Sequence, residues 1–118
     1  MSYVPPAVDT IRLSSDKRQL SVLFKDGFEA ILSAELLRVE SPSAEVQGHG
    51  DDQKQTPLDK ENVIIKAIEP VGHYAIRLIF DDGHDTGLYS WALLYDYGQR
   101  QTALMADYHA RVASLTSG

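Results

Sequence analysis

Residues 73–91 read HYAIRLIFDDGHDTGLYSW and predict a strand, a turn, a second short strand and the start of a helix. Apolar side chains alternate over 73–80, which is the period of a strand with one buried face. The Asp-Asp-Gly at 81–83 is typical of a turn, because Asp and Gly accept the backbone angles that turns require. A return strand at 85–89 then leads to Ser90, whose side chain can cap a helix. Paired strands followed by a helix indicate an α+β fold.

The N-terminal residues extend this pattern with more strands. Residues 1–9 contain two prolines and no periodicity, so we expect an extended arm. Two alternating stretches within 10–24 surround the polar residues 14–18, which predicts a β-hairpin. The Asp-Gly at 26–27 marks the next turn, and 28–31 form a third short strand.

The middle of the chain predicts a short helix, a long loop and a strand. Ser33 can cap a helix of one or two turns, and Pro42 prevents its continuation. Residues 41–62 are polar and carry no clear element, and loops of that length are usually functional or disordered. The β-branched run at 63–68 predicts a central strand, which we expect Pro70 and Gly72 to end.

The C-terminal residues predict two helices. One begins after Ser90 and runs through Tyr97, and Gly98 is expected to end it. Residues 99–115 then carry apolar side chains at helical spacing, which predicts an amphipathic helix. The fold class expected is α+β: a small, mostly antiparallel β-sheet domain with a short helix after the third strand and C-terminal helices. The predicted division is an extended arm at 1–9, a domain at 10–98, and a C-terminal amphipathic helix and tail at 99–118.

Composition excludes several chemistries. The 118 residues include no cysteine, so the chain cannot form a disulfide, a thiolate zinc site or a cysteine nucleophile. Its 11 Lys+Arg against 17 Asp+Glu give a net charge of −6, which argues against binding nucleic acid through phosphates. No apolar run is long enough to span a bilayer, and the N-terminus does not have the pattern of a secretory signal. We therefore expect a cytoplasmic protein without a membrane partner.

Three segments together resemble the gamma-butyrobetaine hydroxylase-like N-terminal domain family. They are LLRVESPSAE at 36–45, GHG at 48–50, and DDGHDTGLYSW at 81–91 with Leu94-Tyr95. The resemblance covers roughly 11–98 and implies a small α+β domain. In gamma-butyrobetaine and trimethyllysine hydroxylases this domain precedes a separate jelly-roll oxygenase domain. In some P-loop ATPases of iron–sulfur cluster assembly it lies near the C-terminus. Many bacteria carry it alone without an assigned activity, and this chain resembles those members.

The resemblance also implies a zinc site that this sequence alters. The hydroxylases hold a structural zinc through three cysteines and one histidine. The histidine corresponds to His84, and the cysteine positions correspond to Ser41, Ser43 and Val46. Serine is a poor zinc ligand at neutral pH and valine is none, whereas structural zinc requires four deprotonated ligands. We therefore expect no metal and no cofactor.

Two motifs offer alternative metal chemistry. The His49-Gly50-Asp51 spacing is that of an Fe(II) oxygenase triad, for which His73, His84 or His109 would supply the distal ligand. Such enzymes need a jelly-roll core, which about six predicted strands do not provide. His49 and His84 could instead meet and bind a metal with Asp82 or Asp85. The carboxylates at 81, 82 and 85 are interpreted as a solvated turn rather than an acid–base pair.

The function expected is a non-catalytic binding or adaptor domain, with iron–sulfur or metal-handling machinery as the class of partner that the ATPase fusions imply. A small metal-binding protein using His49 and His84 is the alternative, and an enzyme of unrecognised type is a remote one. The candidate interaction surface comprises Ser41, Pro42, Ser43, His49, Asp82, Gly83, His84 and Trp91. The aromatic cluster of Tyr89, Trp91, Tyr95 and Tyr97 is expected to pack in the core, with a partner patch as the alternative. Leu104, Tyr108 and Val112 could form a homodimer, although packing within the chain is expected first.

Overall fold

The computed structural model describes residues 6–48 and 55–116, and within them the chain forms two three-stranded antiparallel sheets and three helices. The first sheet contains β1 (Val8–Leu13), β2 (Gln19–Phe24) and β3 (Glu29–Ser33) in that order. The second contains β4 (Ile65–Val71), β5 (Ala75–Phe80) and β6 (Leu88–Ser90) in that order. The helices are α1 (Ala34–Val39), α2 (Ala44–Gln47) and α3 (Trp91–Thr116). The predicted α+β fold class is confirmed.

One apolar face of each sheet lies against the helices and forms a common core. Cross-strand pairs such as Leu20 with Leu32 and Val22 with Ala30 place buried side chains side by side on the first sheet. Each fully buried Leu or Phe contributes about 1.5–3 kcal/mol of transfer free energy. Tyr89 and Tyr97 belong to this core, as the aromatic pattern predicted. The main buried residues of the core are Leu20, Val22, Phe24, Leu32, Leu36, Leu37, Ile65, Ile76, Leu78, Phe80, Tyr89, Leu94 and Tyr97.

The prediction that Gly98 ends a helix is wrong, because α3 is one helix of 26 residues that passes through it. A Cβ atom at Gly98 would lie 2.5 Å from the Ala30 Cβ and 3.0 Å from the Phe28 ring. The missing side chain therefore lets α3 approach the first sheet closely. Ser90 begins the helix as predicted, since its Oγ accepts a hydrogen bond from the Leu93 amide at 3.1 Å.

The open edge of β3 is covered by the same helix. The Gln101 side chain donates to the Ile31 carbonyl at 2.7 Å and accepts from the Ser33 amide at 3.0 Å. These two bonds take the place of a neighbouring strand and protect the edge from pairing with another chain. They also fix the position of α3 along the first sheet.

Two further local predictions differ from the structure. The strand predicted to end at Pro70 runs on to Val71, because β4 is an edge strand where a missing N–H costs no ladder bond. Gly72 then makes the turn with φ of +58°. The long polar loop contains the short helix α2, and its described ends are joined by a hydrogen bond of 2.6 Å from the Gln55 amide to the Val46 carbonyl.

Candidate functional site

The turn between β5 and β6 carries His84 into the protein. Its backbone closes on itself, because the Phe80 amide donates to the His84 carbonyl at 3.0 Å and the Gly83 amide donates to the Phe80 carbonyl at 3.1 Å. The Asp82 carboxylate accepts from the His84 amide at 3.0 Å. The imidazole is only 3% exposed as a result.

Both imidazole nitrogens have partners from the segment that follows α1. The Nδ1 atom lies 3.1 Å from the Glu45 carboxylate, and the Nε2 atom lies 2.8 Å from the Ser41 hydroxyl. A carboxylate only accepts, so Nδ1 carries the proton and Nε2 accepts from Ser41 when the ring is neutral. Burial and the nearby Arg38 charge lower the pKa of His84 below its ordinary value, despite the opposing Glu45 and Asp82 carboxylates. The neutral ring is therefore the favoured form.

Ser41 and Ser43 complete what we call the His84 network, which comprises Ser41, Ser43, Glu45, His84 and Thr86. Ser41 has no exposed surface, and its Oγ also accepts from the Ser43 amide at 3.2 Å. The Ser43 hydroxyl accepts from the Glu45 amide at 3.1 Å, which caps α2, and lies 2.6 Å from the Thr86 hydroxyl. The network thus ties the residues around α2 to the turn after β5.

Gly87 and Tyr89 pack against the buried side of the network, next to Ser41. A Cβ atom at Gly87 would lie 2.5 Å from the Ser41 Oγ and 3.0 Å from the Tyr89 ring. The Tyr89 hydroxyl donates to the Leu37 carbonyl at the end of α1, and burial raises the pKa of this phenol above its ordinary value. The close contact explains why the strand β6 follows a glycine.

A charged group lies beside the network at the surface. The Asp82 carboxylate accepts from Arg38 Nε and from Lys60 Nζ, each at 2.7 Å. Burial opposes its ionisation, but the hydrogen bonds from Lys60, the His84 amide and Arg38 lower the pKa of Asp82 to about 2. Asp82 therefore stays ionised and joins α1, the residues before β4 and the turn after β5.

The network has the hydrogen-bond order of a Ser–His–acid triad, in the sequence Ser41, His84, Glu45. A catalytic serine needs a path for substrate and donors for the oxyanion. The Ser41 hydroxyl is fully buried, and the space over it is filled by Gly87 and Tyr89. In this conformation the arrangement fits a structural role.

A second feature lies where α3 extends past the core, and sequence reasoning named only Tyr108 and Val112 of its residues as candidates for a homodimer contact. Residues 57–61 run beside the C-terminal end of α3 and leave a groove of about 370 Å³. Tyr108 and Val112, one turn apart on α3, and Leu58 from the opposite segment form the apolar part of this groove. The residues that line what we call the α3 groove are Glu35, Leu58, Asp59, Glu61, Tyr108, His109, Val112 and Thr116.

Hydrogen bonds from Tyr108 and Arg111 hold the residues of the groove in place, and its rim carries carboxylates. The buried Tyr108 hydroxyl donates to the Pro57 carbonyl, and Arg111 holds the buried Glu40 carboxylate at 2.6 Å. Burial and the Glu35 and Glu61 carboxylates raise the pKa of Tyr108. The signal available in the sequence was Leu58, a large apolar residue within the polar segment 41–62.

Comparison with known proteins places the chain in a family. The sequence model of gamma-butyrobetaine hydroxylase-like N-terminal domains matches residues 11–95. The chain belongs to this family. This confirms the resemblance carried by the segments around Ser41 and His84.

Solved structures of similar chains support the same family. One solution NMR structure is 50% identical, with a TM-score of 0.80, and the match covers 96% of this chain and 84% of that one. Another is 42% identical with a TM-score of 0.81, covering 95% and 88%. A crystal structure of a protein of unknown function from Acidithiobacillus ferrooxidans, assigned to the DUF971 family, is 36% identical with a TM-score of 0.64, covering 77% and 91%. No curated protein matches the chain.

The residues present here do not fit the zinc site that the resemblance to the hydroxylases implies. Ser41, Ser43 and His84 do come together, and Val46 is buried nearby in the chain, but they offer hydroxyls, methyl groups and one imidazole. Both nitrogens of that imidazole are already hydrogen-bonded. Over residues 6–48 and 55–116, no group of three His, Asp or Glu side chains is placed to hold a metal. His49 and Asp51 lie outside the described residues, so the metal-binding alternative stays a prediction.

The structure separates the residues of the predicted interaction surface. Ser41, Ser43 and His84 are buried, whereas Asp82 and Gly83 are exposed. Pro42 is half-buried. Trp91 is not beside them, because its Nε1 donates to the His73 carbonyl at the opposite end of β5. A partner at this surface would meet the exposed turn and the Glu45 side chain rather than the imidazole.

Two of the three residues predicted for a homodimer make contacts within the chain. Tyr108 is buried against Pro57, and Leu104 packs against the core. Tyr108 and Val112 both line the groove, and of these two only Val112 is partly exposed. No helix in the described part of the chain combines the length and apolar character needed to cross a bilayer.

Proposed function

We propose that this chain is a non-catalytic protein-binding domain that acts as an adaptor. The observation that supports this best is the apolar side of the α3 groove, where Leu58 is 41% exposed beside Val112. An apolar patch rimmed by polar side chains is a kind of surface that protein contacts use, and this patch is a small one. The polar residues around His84 bond to one another instead, so they support a structural role in the same domain.

The class of partner that we propose is iron–sulfur assembly or metal-handling machinery in the cytoplasm. This part rests on the family alone, whose domain is joined to P-loop ATPases of iron–sulfur assembly in some members. Metal binding through His49 and His84 is the alternative. Metal analysis of protein purified without a histidine tag separates the two, because only the alternative expects stoichiometric metal that is lost in a His84→Ala variant.

A photo-crosslinking residue tests the proposed surface directly. It is placed at position 58 in the groove and, as the matched control, at Ile31, which is 48% exposed on β3. The chain is expressed in its native cells, irradiated, and its adducts are identified by mass spectrometry. We expect a discrete adduct from position 58 that position 31 does not give, with a protein of the proposed class.

The other outcomes contradict the proposal at different levels. Equal adducts from positions 58 and 31 would indicate non-specific contact, and no adduct from position 58 would remove the groove as the binding surface. An adduct between two copies of this chain would replace the adaptor role with self-association. A discrete partner unrelated to metals would leave the binding role and remove only the proposed class.

A further inference from the structure

One wall of the α3 groove is a face of the helix α3. Tyr108 and Val112 are four residues apart and Leu115 follows by three, so all three lie on one face of α3. From Tyr108 to the end of the helix, this face is about 12 Å long. Its apolar character continues outward to Leu115, which is 62% exposed. A partner helix lying along α3 would use the same spacing of apolar side chains.

The rim of the groove selects the charge of that helix. Glu35, Asp59 and Glu61 border the apolar side chains. In the described part of the chain, no cation forms an ion pair with these three carboxylates. The negative charge of the rim is therefore available to a ligand.

The nearby cations are already engaged elsewhere. Lys60 donates to Asp82, on the side of the His84 turn. Arg111 binds the carboxylates of Glu40 and Asp107. Arg111 also lies over the Tyr108 ring, 5.9 Å from its centroid, but neither cation forms an ion pair with Glu35, Asp59 or Glu61. The three rim carboxylates therefore match positive charge on a ligand.

We propose that the α3 groove binds a basic amphipathic helix of a partner protein, with apolar side chains against Val112 and Leu58 and Lys or Arg against the rim. The inference rests on the proposed protein-binding function and names the chemistry of its partner. A second copy of this chain fits less well, because two identical grooves meeting across a two-fold axis would bring their carboxylates together. The net charge of −6 adds to that repulsion.

The test uses two synthetic helical peptides of roughly 14 residues, about four turns, with the same leucine face. One carries lysine on its polar face and the other carries glutamate. Each is titrated into the isotope-labelled full chain, and amide chemical shifts locate the binding. We expect the lysine peptide to shift the amides of residues 57–61 and 108–116 and to bind at least about tenfold more tightly than the glutamate peptide.

Matched variants separate rim charge from overall charge. Asp59→Asn with Glu61→Lys makes the rim less negative, and asparagine keeps the positive φ of 60° that Asp59 adopts. Asp9→Asn with Glu29→Lys makes the same change at exposed positions of the first sheet. We expect the two rim substitutions to lower the affinity for the lysine peptide about tenfold. The two control substitutions should lower this affinity by less than about threefold.

Each remaining outcome overturns the inference, and most leave the proposed function standing. Equal binding of both peptides in the groove would show an apolar site without charge selection. Binding of neither peptide, with a crosslinked partner still found at position 58, would show that the partner is not a basic helix. Concentration-dependent shifts of the groove amides without peptide would identify a second copy as the occupant. Equal losses in both variant pairs would show attraction by net charge alone.

Discussion

The His84 network and the α3 groove invert the usual arrangement of side chains in opposite ways. The first buries polar groups such as Ser41 and His84, and the second exposes the apolar side chain of Leu58, with the exposed Leu115 just beyond it. Buried polar groups are tolerated when each has a partner, and in the network each hydroxyl and ring nitrogen has one. Exposed apolar groups gain nothing until something covers them. The comparison teaches that the first region holds the fold together and the second is available to a partner.

The largest effect is expected from His84→Ala. The change removes a buried ring and leaves the Ser41 hydroxyl without its partner, so we expect a loss of about 2–4 kcal/mol in the free energy of unfolding. Urea denaturation measures it. His109→Ala is the matched control, because His109 is exposed at the rim of the groove. Equal small losses in both variants would contradict a structural role for the network.

Gly87→Ala is expected to lower the free energy of unfolding by somewhat less, about 2 kcal/mol, because the added methyl group overpacks the network. The added Cβ would meet the Ser41 Oγ and the Tyr89 ring. A Ser41→Ala variant no longer has the Oγ that the added Cβ would meet. In that variant Gly87→Ala should therefore lower the free energy of unfolding by less. A double-mutant cycle by denaturation measures this coupling. Additive losses would show that Gly87 and Ser41 do not interact as the structure indicates.

Acidification is expected to lower the stability of the chain through His84, by less than the two substitutions above. The pKa of His84 is lowered by burial and by Arg38 from its ordinary 6.5, against the opposing Glu45 and Asp82 charges. The unfolded chain then binds a proton more readily, so stability is complete above pH 6.5 and falls as pH drops toward the folded pKa. We expect the chain to be less stable at about pH 5.5 than at about pH 7.5.

A His84→Gln variant is the control for that pH dependence. Glutamine can donate and accept but does not titrate, so the stability difference between the two pH values should shrink. The stability of each protein is measured by denaturation at both pH values. An unchanged difference would assign the pH dependence to other groups.

Local signals predicted part of this molecule and long-range contacts decided the rest. The cap at Ser33 and the turn at 81–83 were predictable, because each depends on residues within three or four positions. The place of Gly98 inside a helix was not, because it depends on Ala30 in the first sheet. The burial of Ser41 likewise depends on His84, which only the family resemblance placed beside it.

The smallest effect is expected in the groove itself. Val112→Ser should change the free energy of unfolding by no more than about 0.5 kcal/mol, because serine and valine have similar helix propensity and nothing in the described residues covers this position fully. Leu104→Ser makes a similar change two turns earlier, where the side chain packs against the core, and should cost more than about 1 kcal/mol. Denaturation of the two variants compares one helix face inside and outside the core. If both lost equal stability, Val112 would belong to the core, and the groove would not be a free surface.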